Sequence, residues 1–94
     1  MKVHELLSDE SKWTRGVNAR LATGTESGWK NPMAVCWCIG GAILKCYPMP
    51  TAIIIEAEVR AIIGESLALW NDDPARKFEE VKALAVELRL DSRH

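Results

Sequence analysis

The feature that most constrains the fold is an uncharged, largely apolar run near the middle of the chain, Met33 to Leu44. It is about half the roughly 20 residues that a membrane-spanning helix needs, so we expect no membrane span. Asn31 and Pro32 precede the run, and both residue types are favoured where a helix begins. The sequence therefore predicts a buried central helix from Met33 to Tyr47.

Two glycines lie inside this predicted helix. Gly40 and Gly41 each cost about 1 kcal/mol relative to alanine in a helix interior. Either another element packs closely against them or the helix breaks there, and we favour close packing.

The N-terminal part of the chain predicts a short amphipathic helix and then an extended segment. Val3, Leu6 and Leu7 have helical spacing. Polar and apolar residues alternate over 13–20, which indicates an extended segment or a small hairpin.

The second half predicts two further helices. Ala52–Ile63 lies between a candidate cap, Thr51, and Gly64, although its alternating pattern also fits a strand. SLALW, at 66–70, is interpreted as a connector and NDDP, at 71–74, as a turn. The last helix has the clearest apolar face, and we place its start at Asp73 and Pro74.

Composition supports one domain, residues 1–94. The chain has 94 residues, of which 48% are hydrophobic and 27% charged, as in ordinary globular domains. We expect a mainly α fold of about four helices around the central one, with a short extended segment or hairpin near the N-terminus. The predicted core is Leu6, Leu7, Trp13, Val35, Cys36, Trp37, Ile39, Ala42, Ile43, Ile55, Val59, Ile62, Leu69, Trp70, Phe78, Val81, Leu84 and Leu88.

Net charge and the lack of a secretory signal indicate which partners and which cellular location to expect. Twelve Lys and Arg residues face 13 Asp and Glu residues, a formal net charge of -1, so no nucleic-acid partner is expected. The first residues lack the apolar region of a secretory signal, and three cysteines are too few for a disulfide scaffold. Both observations favour a cytoplasmic protein.

Cys36 and Cys38 raise the question of thiol chemistry. On a helix, residues two apart point in different directions, so the pair is poorly suited to hold one metal ion. A nucleophilic cysteine needs a base, and the two histidines lie near the chain ends. We expect structural thiols, with no cofactor, no metal and no catalytic residue. A thiol-dependent enzyme or redox protein using Cys36 or Cys38, near the start of the predicted central helix, is the alternative.

Four residues are candidates for a protein-binding surface. Trp29 lies in a polar loop, where an exposed tryptophan would mark a contact. Ile53, Ile54 and Ile63 fall partly outside a single stripe of the third helix, and exposed apolar clusters mark interfaces. We therefore expect a homodimer formed largely through 52–63.

Three segments resemble a family of small uncharacterised proteins of bacteria and their phages. They are WTRG at 13–16, AVCWCIGGAI at 34–43 and WNDDPARKFEEV at 70–81, matching family motifs WTxG, CWCxxGA and WNDxPxR. The family usually has Thr at the position of Lys77, where it caps a helix, and Gly at Ala75. The resemblance implies a mainly helical fold and a phage or mobile-element origin, but no activity.

These observations lead to one functional hypothesis. We expect a non-enzymatic protein-binding module, for example a phage-encoded inhibitor or adaptor that acts on a host protein. No set of residues in the sequence matches a catalytic motif, and the small size suits such a role.

Overall fold

A computed structural model describes residues 2–91, with side chains as far as Glu87. Within this part of the chain there are five α-helices and three β-strands. Their bounds are α1 Val3–Leu6, β1 Ala19–Leu21, β2 Glu26–Ser27, β3 Ala34–Trp37, α2 Ile39–Cys46, α3 Thr51–Ile63, α4 Leu67–Asp72 and α5 Phe78–Asp91, with a 3-10 turn at Glu10–Lys12 between α1 and β1.

The fold is a small α+β domain, so the expectation of a mainly α fold is wrong. The strands form an antiparallel sheet in the order β2-β1-β3. A hairpin is present near the N-terminus as β1 and β2, but it begins at Ala19, so most of the predicted extended segment at 13–20 lies outside it. The sheet is completed by a third strand from the middle of the chain. That third strand comes from the segment that was predicted to be helical.

The predicted central helix is divided into β3 and α2. The Oδ1 of Asn31 accepts the N–H of Met33 at 2.9 Å, as a helix cap would. The chain nevertheless makes only a local turn there and continues into β3. In β3, Trp37 pairs with Ala19, and its indole packs into the core. Val and Trp favour strands, and the sheet offers pairing partners that a local sequence pattern does not reveal. The helix starts only at Ile39, where it is capped by Cys38.

Gly41 confirms the prediction of close packing. A Cβ placed there would lie 2.1 Å from the carbonyl oxygen of Asn18, closer than atoms can approach. Gly40 has no such neighbour, since its nearest contact is the Cys38 sulfur at 3.8 Å. Only one glycine of the pair is therefore required by packing.

The helical interpretation of 52–63 is confirmed. The residues form α3, which ends at Gly64 in the left-handed conformation with φ of 76°. Thr51 is the first helical residue rather than the cap, a position that Pro50 takes.

The region before the last helix differs from the prediction. The segment interpreted as a connector forms α4, where the Ser66 hydroxyl accepts the N–H of Leu69 at 3.2 Å. The predicted start of α5 at Asp73 and Pro74 is wrong. Asp73 instead accepts the N–H of Ala75 at 2.9 Å in a local turn, and the helix begins at Phe78.

The first and last helices of the described chain pack against each other. α1 packs against α5. The Lys82 ammonium of α5 donates to the carbonyl oxygens of His4 at 3.0 Å and Leu7 at 3.4 Å. No described helix is long and apolar enough to cross a bilayer.

Most of the predicted core is buried. The buried members are Leu6, Leu7, Trp13, Trp37, Ile39, Ala42, Ile43, Ile55, Val59, Trp70, Val81 and Leu84. Cys36 and Phe78 are half-buried. Val35, Ile62 and Leu69 are exposed. Val35 was assigned to a buried helix but lies in β3. Ile62 lies on α3 away from its buried side, and Leu69 lies on α4 away from the buried Leu67 and Trp70. Leu88 lies outside the described side chains.

Candidate protein-binding face

α3 is apolar on two opposite sides. Ala52, Ile55 and Val59 recur at intervals of three and four residues and are buried against the rest of the domain. Within the domain, α3 packs against α2 and α4. The inner side of the helix therefore packs it against the domain.

The opposite side carries two large apolar residues in water. Ile53 is 58% exposed and Ile54 is 56% exposed. Ala57 and Ala61 are exposed as well. Because residues three, four and seven apart share one face of a helix, these four side chains form a continuous strip. We call Ile53, Ile54, Ala57 and Ala61 the outer face of α3.

A hollow lies at the C-terminal end of the outer face. It has a volume of about 560 Å³. Its lining residues are Ala57, Arg60, Ala61, Gly64, Glu65 and Ser66. Large side chains at one end of the strip are thus followed by small side chains and a hollow at the other.

The structure brings together only two of the four sequence-predicted binding residues. Ile53 and Ile54 lie side by side on the outer face. Ile63 is half-buried and packs against the core. Trp29, in the loop between β2 and β3, is also half-buried against the core, with the Lys30 ammonium 5.2 Å from its ring centre. Ile63 and Trp29 are therefore partly covered by the domain itself.

A second cluster, around Asn71, was not predicted. Asn71 is fully buried. Its Oδ1 accepts from the Trp13 indole Nε1 at 2.7 Å and from the backbone N–H of Ile39 at 2.9 Å. Its Nδ2 donates to the carbonyl oxygen of Thr14 and to Asp72 Oδ1, both at 3.0 Å. Asn71 therefore connects α4 to the loop at 13–16 and to the start of α2.

Two arginines stack on tryptophans around this network. The Arg15 guanidinium lies 4.3 Å from the Trp13 ring centre, and that of Arg76 lies 4.0 Å from the Trp70 ring centre. Arg76 also donates to the Trp70 carbonyl oxygen at 2.9 Å and pairs with Glu80 at 2.7 Å. These contacts are made within the domain, which gives the arginines a structural role.

Cys38 also has a structural role. Its sulfur accepts the N–H of Gly41 at 3.2 Å, as a serine hydroxyl would at a helix N-cap, and its thiol donates to Asn18 Oδ1 at 3.8 Å. Two small cavities, of about 90 and 160 Å³, adjoin it. Burial raises the pKa of the Cys38 thiol, which disfavours the reactive thiolate.

The other two cysteines lie elsewhere. Cys36 stands in β3 opposite Arg20, so Cys36 and Cys38 do not share the first turns of one helix. Burial raises the pKa of Cys46 to about 11. All three cysteines are free thiols. Among the described residues no three His, Cys, Asp or Glu side chains are grouped so as to hold a metal ion.

Comparison with known families gives one result. Residues 1–87 match the Family of unknown function (DUF6197). The chain belongs to this family. The match covers both the outer face of α3 and the Asn71 network. No curated protein and no solved structure matches the chain.

Sequence reasoning missed Asn71 and the hollow for different reasons. Asn71 lies in an apparent turn, and nothing in the neighbouring sequence indicates that it is buried. Its partner Trp13 is 58 positions away along the chain. The hollow depends on Ala57, Ala61 and Gly64, whose small size is visible in the sequence only after α3 is known to be a helix. The four-residue interval from Ile53 to Ala57 to Ala61 was the available signal.

Proposed function

We propose that this chain is a non-enzymatic protein-binding module whose contact surface is the outer face of α3. The observation that carries the proposal is the exposure of the adjacent Ile53 and Ile54 on a helix whose other side already fills the core. Packing of the domain itself gives no reason for these side chains to be apolar. Exposed apolar clusters on a small domain are typical of interfaces.

The surroundings of the outer face support this role. Arg60 and Glu58 are exposed on its two borders, which gives an apolar centre with a charged rim. α3 is held by α2 and α4 and ends at Gly64. A partner would therefore meet a preformed surface and would not have to order it.

The thiol-enzyme alternative receives less support. The hydrogen-bond partners of Cys38 are a backbone amide and a side-chain amide oxygen, and neither is a general base. The raised pKa of this thiol also reduces its nucleophilic form at neutral pH.

The location and biological role that we propose are more specific than what the family match shows. We propose a cytoplasmic protein, since three free thiols fit a reducing compartment. We also propose that it acts as a phage-encoded inhibitor or adaptor on a host protein, which rests on the motif resemblance at 13–16, 34–43 and 70–81.

Affinity capture with paired variants tests the proposed surface. The baits are the wild-type chain, Ile54→Glu and Ile62→Glu. Ile62 is a matched control because it is 56% exposed, as Ile54 is, but lies off the outer face. We expect proteins that are enriched by the wild type and by Ile62→Glu to fall at least tenfold with Ile54→Glu.

Two outcomes would count against the proposal. If the wild type enriches no protein from a bacterial host lysate, the protein-binding class is wrong for that host. If Ile54→Glu retains every partner that the wild type retains, binding occurs elsewhere on the domain.

A further inference from the structure

We propose that the outer face of α3 also binds a second copy of this chain, as an antiparallel helix pair around a two-fold axis near Ala57. The inference rests on the proposed function, because it assigns a partner to the same surface. It is carried by the sizes and spacing of the side chains on the outer face.

The outer face is complementary to itself in one orientation. Ile53, Ala57 and Ala61 follow each other at four-residue intervals along one row of the helix. In an antiparallel pair centred on Ala57, Ile53 of each copy meets Ala61 of the other, and the two Ala57 residues meet at the axis. Every opposed pair within this row then contains at least one small residue, so the two rows can approach closely.

A parallel pair lacks this fit. It would place Ile53 against Ile53 and Ala61 against Ala61, which holds the helices apart at one end and leaves a gap at the other. The antiparallel pair instead seats each Ile53 beside the hollow of the partner copy, where Gly64 and Ser66 leave space. A two-fold axis makes both contacts identical, as in most homodimers.

Charges border the proposed contact. Arg60 and Glu56 lie on the same border of the outer face, and the two-fold axis places like borders together. Arg60 of one copy then lies about two residues, or roughly 3 Å along the axis, from Glu56 of the other. On the opposite border the two Glu58 side chains approach each other, so removal of this charge should tighten the pair.

The size of the contact predicts a weak dimer. α3 has 13 residues, which corresponds to a strip about 20 Å long and about 10 Å wide. Its footprint is well below the roughly 800 Å² per partner of stable complexes. The chain's accessible surface of 5475 Å² matches the value of about 5400 Å² expected for a folded monomer of this mass. The domain is therefore expected to fold without its partner copy.

Sedimentation equilibrium of the purified chain from about 10 μM to 1 mM tests this. We expect the average mass to rise from 10.5 kDa toward twice that value. Ile53→Glu should weaken association at least tenfold, Ile62→Glu should leave it unchanged, and Glu58→Gln should strengthen it. Circular dichroism of each variant checks that the domain is folded.

A double-variant cycle tests the orientation. Ile53→Ala leaves the hollow empty and Ala61→Ile overfills it, so each single change should weaken the dimer severalfold. Together they exchange the large and small positions, and in the antiparallel pair the double variant should recover most of the affinity. Additive loss in the double variant would overturn the antiparallel arrangement.

The outcomes separate this inference from the proposed function. A mass that stays at the monomer value up to 1 mM, or association that Ile53→Glu does not weaken, overturns the inference. If host proteins are still captured through Ile54 in either case, the proposed function stands. If the pure chain dimerises but captures no host protein, the inference stands and the host-directed function fails.

Discussion

Replacement of Asn71 should destabilise the domain more than replacement of any exposed polar residue. Asn71→Ala removes the acceptor for two buried donors, Trp13 Nε1 and the Ile39 N–H. A buried donor without a partner costs about 1–3 kcal/mol, so the two together cost about 2–6 kcal/mol. A domain of this class has about 5–15 kcal/mol of stability in total. The loss is therefore a large part of the free energy of unfolding.

Asn71→Asp distinguishes the contribution of the accepting oxygen from that of the donating amide group. The aspartate keeps the shape and the oxygen that accepts from Trp13 and Ile39. It replaces the amide group that donates to the Thr14 carbonyl oxygen and Asp72. A carboxylate among these oxygens is repelled, so we expect a raised pKa for the introduced group in the folded state.

The sign of the pH dependence follows from this shift. A group whose pKa is higher in the folded state than in the unfolded state stabilises more as it gains its proton. The protonated carboxyl can also donate as the amide did. The difference in stability between Asn71→Asp and the wild type should therefore be largest near pH 7 and shrink as the pH falls to 5.

Urea unfolding monitored by tryptophan fluorescence measures both variants. With an m-value of about 1–3 kcal/mol/M, a loss of 3 kcal/mol shifts the midpoint by about 1–3 M. Asn31→Asp is the matched control, because Asn31 uses its Oδ1 as an acceptor in a local turn and should tolerate the change. If Asn71→Ala lowers the free energy of unfolding by less than about 1 kcal/mol, the network does not have the role assigned to it.

Three further predictions concern stability. Gly41→Ala should lower the free energy of unfolding by about 3 kcal/mol or more, because its Cβ would meet the Asn18 carbonyl. Gly40→Ala should leave the free energy of unfolding unchanged or raise it by up to about 1 kcal/mol. Thermal or urea unfolding measures both variants, and equal effects would refute the packing argument. Lys77→Thr should raise the free energy of unfolding by about 1 kcal/mol, because it supplies a side-chain cap just before α5, and an unchanged urea midpoint would contradict this. The pKa of Cys46 is raised to about 11, which gives a contribution to stability that is complete below about pH 9 and is lost as the pH rises toward 11. The melting temperature of the wild type should therefore fall more steeply over this pH range than that of Cys46→Ala. Parallel curves would argue against a buried protonated thiol.

Local patterns in the sequence predicted α1, α3 and the body of α5, but not α4, the start of α2 or the sheet. α3 was identified from its flanking residues and length, and α5 from its apolar face. β3 was missed because an uncharged run carries no periodicity that distinguishes a buried strand from a buried helix. Its pairing with Ala19 and Arg20 is a tertiary contact, and such contacts override local preference.

The exposure of the four predicted binding residues could likewise be predicted only in part. Ile53 and Ile54 were identified because apolar residues outside one helical stripe are visible in the sequence. Ile63 and Trp29 are instead half-buried, since the packing of neighbouring elements decides whether a border residue is covered. Asn71 was interpreted as part of a turn. It is buried only because Trp13 and Ile39, which are distant in sequence, pack against it and donate hydrogen bonds to it.

The position of Asn71 affects how the chain reaches its fold. Its bond to Trp13 spans 58 residues, and the bond from Lys82 to His4 spans 78. Closing such long loops lowers entropy before the contacts form, so folding should be slower than for a helical bundle of the same length. A fragment that stops short of Asn71 would also leave the Trp13 and Ile39 donors without their partner. The first and last thirds of the chain are thus expected to fold in one cooperative step.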